Sequence, residues 1–138
     1  MKTIGRKDVS LETATKAVSA AQKKADELGV PMSVVIVDTA GRIVLHSTMD
    51  GTMPAAIEIA LAKATTTAST RMSTMDFYEF AKQHPHLMET IPHIPGICMI
   101  GGGLPIMDHD AMVGAIGVSG GLYLQDIECA KAGLQALK

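Results

Sequence analysis

The chain has 138 residues, 47% of them hydrophobic but only 3% aromatic, with no tryptophan and a formal net charge of −2. That length suffices to bury a core, which has to be aliphatic. The near-neutral charge and the scarcity of rings exclude a nucleic-acid surface, and no apolar run is long enough to cross a membrane.

Met1 to Arg6 lacks the apolar run of a signal peptide, and Cys98 and Cys129 are the only cysteines. Two cysteines make no disulfide framework, so a soluble, cytoplasmic chain of 1–138 as a single domain with buried free thiols is expected. The apolar content is high for a small monomer. It predicts a further buried surface, most simply a homo-oligomer interface.

Leu11, Ala14, Ala17, Val18, Ala21, Ala25 and Leu28 recur at helical spacing, with Ser10 as N-cap and Gly29 as stop. Met32 to Asp38 and Ile43 to Thr48 read as a β-hairpin about Thr39–Arg42. Thr52 is expected to cap an alanine-rich helix over Met53 to Thr70. That helix is small and apolar almost all round, so it should be covered on more than one side.

Ser73-Thr74-Met75-Asp76 opens a shorter helix, Thr74 to Gln83. His84 to Gly96 is expected to be irregular. Strands follow at Ile97–Ile100, Leu104–Met107 and Ala111–Ser119, and a last helix at Gln125–Leu137. The order predicts an α+β fold, with a central antiparallel five-stranded sheet covered by helices.

The last strand, Val113-Gly114-Ala115-Ile116-Gly117-Val118-Ser119, is unusual for its glycines. Glycine in a strand costs entropy and packs nothing. Its repetition implies that another strand, a second subunit or a flat ligand approaches the backbone. Gly117 to Gly121 has the GxSxG spacing around Ser119, but no helix starts directly after it, as a nucleophile elbow requires.

Gly101-Gly102-Gly103 lacks the Gly-Lys-Ser/Thr ending of a phosphate loop. The bare amides of Gly102 and Gly103 could hold a carboxylate, although turn geometry alone also accounts for them. Lys63, inside the alanine-rich helix, needs an anionic partner from the protein or a ligand unless it reaches solvent. Arg71 is a second candidate cation.

Asp50, Glu58 and Lys63 are the candidate proton-moving groups. Asp126 falls in the first turn of the last helix, where the helix dipole explains it. His84, His86 and His93 could together hold a divalent metal, or one of them could ligate haem. Ten methionines include Met49, Met53, Met72 and Met75 around the central helix and Met99, Met107 and Met112 near the glycine strands. A thioether can fill gaps or ligate haem.

With these pieces placed, the chain resembles the GlcG/HbpS family, which includes the C-terminal domain of PduO-type proteins. The resemblance spans Leu11 to Leu137. It rests on Leu28-Gly29, Val37-Asp38 with Gly41, Met49-Asp50-Gly51, Lys63-Ala64, Gly102-Gly103-Leu104-Pro105, Val113 to Gly120, and Gln125-Asp126 with Cys129-Ala130.

It implies a profilin-like α/β domain that assembles into dimers, tetramers or octamers. It also implies a small-molecule ligand, haem or a related tetrapyrrole. Lys63, Arg71, Gly102, Gly103 and Met49 are the residues of this chain expected to contact it. The alternative is an enzyme or accessory protein acting on a small carboxylic acid or an aromatic-catabolism intermediate. Its reaction would be isomerisation, hydration or hydrolysis, with a His-bound divalent metal in one version. The Pro- and His-rich segment His84 to Pro95 departs from the family pattern.

Overall fold

The structure, a computed structural model, describes residues 1–138. Its elements in chain order are α1 (Leu11–Leu28), β1 (Ser33–Asp38), β2 (Ile43–Thr48), α2 (Ala55–Thr70), α3 (Thr74–Lys82), α4 (Pro85–Thr90), a 3₁₀ turn (Ile91–His93), β3 (Gly103–Asp108), β4 (Ala111–Ser119) and α5 (Tyr123–Gln135). Ser10 caps α1 by accepting the Thr13 N–H at 3.1 Å, and Gly29 ends it at φ 70°. Ser73 caps α3 in the same way, through the Asp76 N–H.

The β1–β2 turn is pinned by Asp38. Its carboxylate accepts the N–H groups of Ala40 (2.8 Å) and Arg42 (3.0 Å) and the Arg42 Nε (2.8 Å). Burial works to raise the Asp38 carboxyl, but these donors outweigh it and hold it below the usual range.

The sheet is antiparallel, in the order β2-β1-β4-β3. Side chains of a strand alternate between faces. Val34, Ile36, Ile116 and Val118 face α1 and α5, while Val35, Val37 and Ala115 face Ala60, Ala64 and Ala68 of α2. Both faces of β1 are covered, so all six of its residues are buried. β2 and β3 are the edges, which is why Pro105 is tolerated in β3.

What approaches the glycine strand is α2 of the same chain. A Cβ on Gly117 would collide with the Ala60 carbonyl oxygen and stand 2.7 Å from the Ala64 nitrogen. The alanine content of α2 and the glycines of β4 are therefore two halves of one close contact.

The sheet has four strands, not the expected five. Ile97–Ile100 is no strand, because its backbone is anchored to a side chain of α2. The Cys98 N–H donates to Thr66 Oγ1, which itself donates to the Gly96 carbonyl. The segment expected to be irregular contains α4, with Pro85 at its first turn, where a missing N–H costs nothing. Thr52 does not cap α2; its hydroxyl donates to the Met49 carbonyl, and the helix starts at Ala55. α5 starts at Tyr123, earlier than expected. Cys98 and Cys129 are both free thiols. No helix is long and apolar enough to cross a membrane.

Candidate functional site

The alanine face that seats α2 on the sheet also carries Lys63 inward. Its side chain is 1% exposed, and Nζ lies 2.7 Å from Asp126 Oδ2 and 2.8 Å from the Val118 carbonyl oxygen. The anionic partner that a buried lysine demands is thus supplied by α5. Asp126 completes the link through Oδ1, which accepts the Gly121 N–H at 2.9 Å. Burial pushes the Asp126 carboxyl up, and the Lys63 ammonium and the Gly121 amide pull it back only in part. Burial, with Asp126 and Glu128 nearby, raises the Cys129 thiol to about 11, so it is an inert core group.

Gly102 lies directly over this pair. It sits at φ +130°, and a Cβ there would stand 2.6 Å from the Val118 oxygen and 2.8 Å from Lys63 Nζ. Only glycine fits. Gly103 is equally crowded, by the Lys63 carbonyl, Thr67 Oγ1 and Thr74. Its N–H donates to Thr74 Oγ1 at 3.0 Å. The two glycines form the floor of a cleft of about 510 Å³ whose walls include Arg71, Ser73 and Met75 on one side and Ile127 and Lys131 of α5 on the other.

That cleft continues into an apolar surface. Met75 also borders a hollow of about 290 Å³ with Tyr78, Met99, Ile100, Gly101 and Tyr123. Tyr78, Met99 and Ile100 in turn border a third, of about 410 Å³, with Ile91, Pro92, Ile97 and Cys98. Met75 and Tyr78 stand one turn apart on α3, so both face the same way. The result is one continuous wall with few polar groups and with thioether, phenol and thiol side chains along it.

Of the candidates from sequence, Arg71, Gly102 and Gly103 come together in the cleft. Lys63 lies beneath its floor, committed to Asp126 rather than open to a ligand. Met49 packs against the main core, and its sulfur accepts the Met32 N–H at 3.4 Å, far from the wall. Asp50 and Glu58 are exposed and line none of the hollows. Ser119 is buried at 3% exposure, so its GxSxG spacing is packing and not an exposed nucleophile.

The proposed metal triad does not form. His84, His86 and His93 are all exposed, and no group of three His, Cys, Asp or Glu side chains converges anywhere in the chain. The reason is local: α4 winds the segment into a helix, so His84 and His86 no longer project to one side as they would on extended backbone. The His84 ring packs on Phe80 instead, with centroids 4.8 Å apart.

Sequence reasoning missed two groups. The helix dipole suffices to explain Asp126, and nothing local ties it to Lys63. Tyr78, Tyr123 and Lys131 drew no notice, although two tyrosines in so aromatic-poor a chain are themselves a signal.

Residues 9–135 match the family described as "haem degrading protein HbpS-like". Protein GlcG of Escherichia coli K12 is 30% identical over 111 residues, covering 80% of this chain and 81% of GlcG. Among solved structures, the HbpS double mutant of Streptomyces reticuli superposes with a TM-score of 0.90 at 32% identity, covering 99% of this chain and 91% of that one. A complex of PduOC with haem superposes at 0.86 and 26% identity, covering 94% of each chain.

Proposed function

The chain belongs to the GlcG/HbpS family, and on that premise we propose that it binds haem or a related tetrapyrrole. The observation that carries this reading is the continuous apolar wall formed by Met75, Tyr78, Met99, Ile100 and Tyr123. A flat, apolar macrocycle needs such a wall to leave water. The side chains along it suit the iron as well: thioether, phenolate and thiolate are all known axial ligand types, and Met75, Met99, Tyr78, Tyr123 and Cys98 offer them. The PduOC–haem complex supports the same ligand on the same fold.

Bound haem would supply redox and Lewis-acid chemistry at its iron. The protein's part is to cover one face of the ring, exclude water and set the ligand field. In the alternative reading, action on a small carboxylic acid, the same cleft would serve, and Asp76 is the one carboxylate lining it.

A homo-oligomer is the assembly we infer. Ile43, Met53 and Ile57 are 52%, 48% and 41% exposed, which favours a second copy covering them. Light scattering on the purified chain measures its size.

Titration of hemin into the full chain tests the ligand. The expected result is a shifted Soret band that saturates at a fixed ratio to protein. A Soret band that never saturates ends the haem reading.

A further inference from the structure

Where the apolar wall ends, at Met75, the chemistry of the cleft reverses. Arg71 stands at the C-terminus of α2 in a left-handed conformation, with φ 64° and ψ 14°, and its N–H is held by the Thr67 carbonyl at 2.9 Å. Glycine would adopt that backbone without strain, and most chains place glycine or asparagine there. Here an arginine occupies the position, and its side chain lines the cleft.

Lys131 of α5 lines the same cleft. Neither cation forms a salt bridge within the chain, although eight lysine or arginine bridges occur elsewhere in it. Asp76 is the only acidic side chain at the cleft, so its charge balance is positive.

The floor of the cleft adds a free donor. Gly102 is buried, and its carbonyl accepts the Val118 N–H at 3.0 Å, but its own N–H finds no acceptor anywhere in the chain. Buried backbone donors are almost always paired, so an unpaired one that lines a cleft points to a partner from outside.

We propose that Arg71, Lys131 and the Gly102 amide form a carboxylate-recognition site that takes the acid groups of the bound tetrapyrrole. The proposal rests on the haem reading of the adjoining wall and extends it to selectivity. Haem carries its two carboxylates side by side along one edge of an otherwise apolar ring. The ring would lie on the Met75–Tyr78–Met99–Ile100 wall, and its acidic edge would meet the two cations. Guanidinium and carboxylate pair in a bidentate fashion, and the bare amide adds a further donor. Macrocycles whose acids are esterified, or that lack acids, would lose these contacts.

The test uses the full chain, hemin, hemin dimethyl ester, and benzoate as a ring-free carboxylate probe. Hemin is expected to bind about tenfold or more tightly than its ester. The double variant Arg71→Gln/Lys131→Gln, altered at two exposed positions that should not affect folding, is expected to bind both alike and no better than the wild type binds the ester. In ¹⁵N NMR, benzoate should move the Gly102 amide resonance of the wild type and not that of the variant.

Equal affinity of the wild type for hemin and ester overturns the proposal, and so does selectivity that persists in the double variant. If hemin does not bind at all, the haem reading falls separately. The site is then decided by benzoate alone: a saturable Gly102 shift lost in the variant upholds it, and a still resonance overturns it.

Discussion

Lys63 Nζ and Asp126 Oδ2 meet at 2.7 Å between α2 and α5, with side chains only 1% and 2% exposed. Removing one partner strands a charge away from water, at a cost of about 3–5 kcal/mol. Lys63→Met and Asp126→Leu are each expected to lose about that much stability in urea unfolding. The double variant should lose clearly less than the sum, because no unpaired charge remains. Strict additivity of the two losses would contradict the pairing.

Gly117 is the tightest point between helix and sheet. Gly117→Ala is expected to cost at least about 1–3 kcal/mol by overpacking, since the obstacle is helix backbone and cannot rotate away. Gly5→Ala, with nothing within 4 Å of the added carbon, is the control and should be neutral. Thermal unfolding of the two variants checks the contrast.

Asp38 gives a pH dependence of known sign. Its carboxyl is held below the ordinary value of 3.8 in the folded chain. The stabilisation is therefore fully present above the unfolded value and is lost as pH falls below it, through the lower folded value. Asp38→Asn is expected to lower stability at neutral pH by about 1–3 kcal/mol and to flatten the stability curve below about pH 4. Urea midpoints measured from neutral pH down to pH 3 read both effects.

The wall can be tested apart from the cations. Tyr78 is only partly buried, so Tyr78→Glu should fold, yet it puts a charge where an apolar ring would lie. Hemin affinity is expected to fall about tenfold or more. His84→Ala, which leaves the wall intact, should bind hemin as the wild type does.

Zinc gives the complementary result. With no three ligating groups converging, Zn²⁺ should raise the melting temperature of the wild type no more than that of a His84→Ala/His86→Ala/His93→Ala variant. A larger shift for the wild type would restore the triad.

Most of the helices and both central strands were legible in the sequence, because each rests on a local rule. Ser10 and Ser73 are caps, Gly29 is a stop, and the β1 run is β-branched. The missing fifth strand is where a side chain from elsewhere decided the outcome. Thr66 of α2 holds the backbone of Ile97–Ile100 that local propensity makes a strand.

The site was half legible for the same reason. Gly102, Gly103 and Arg71 could be singled out by residue type, and the need of Lys63 for an anion followed from its surroundings. Which anion it finds depends on how α5 returns to the sheet, a long-range fact with no local trace. The histidine triad failed in the opposite way: its spacing suited a metal only if the segment stayed extended, and it coils.

The seat of α2 on Gly117 also sets an order of events during synthesis. The helix is made first, but the groove that receives its Ala60 and Ala64 backbone belongs to β4, which follows it by about 40 residues or more. Until β4 has left the ribosome, α2 has only β1 to dock on and lacks its tightest seat. Contacts of such long sequence separation are slow to close. The growing chain should stay protease-sensitive after α2 is made and become resistant only once β4 and α5 have emerged.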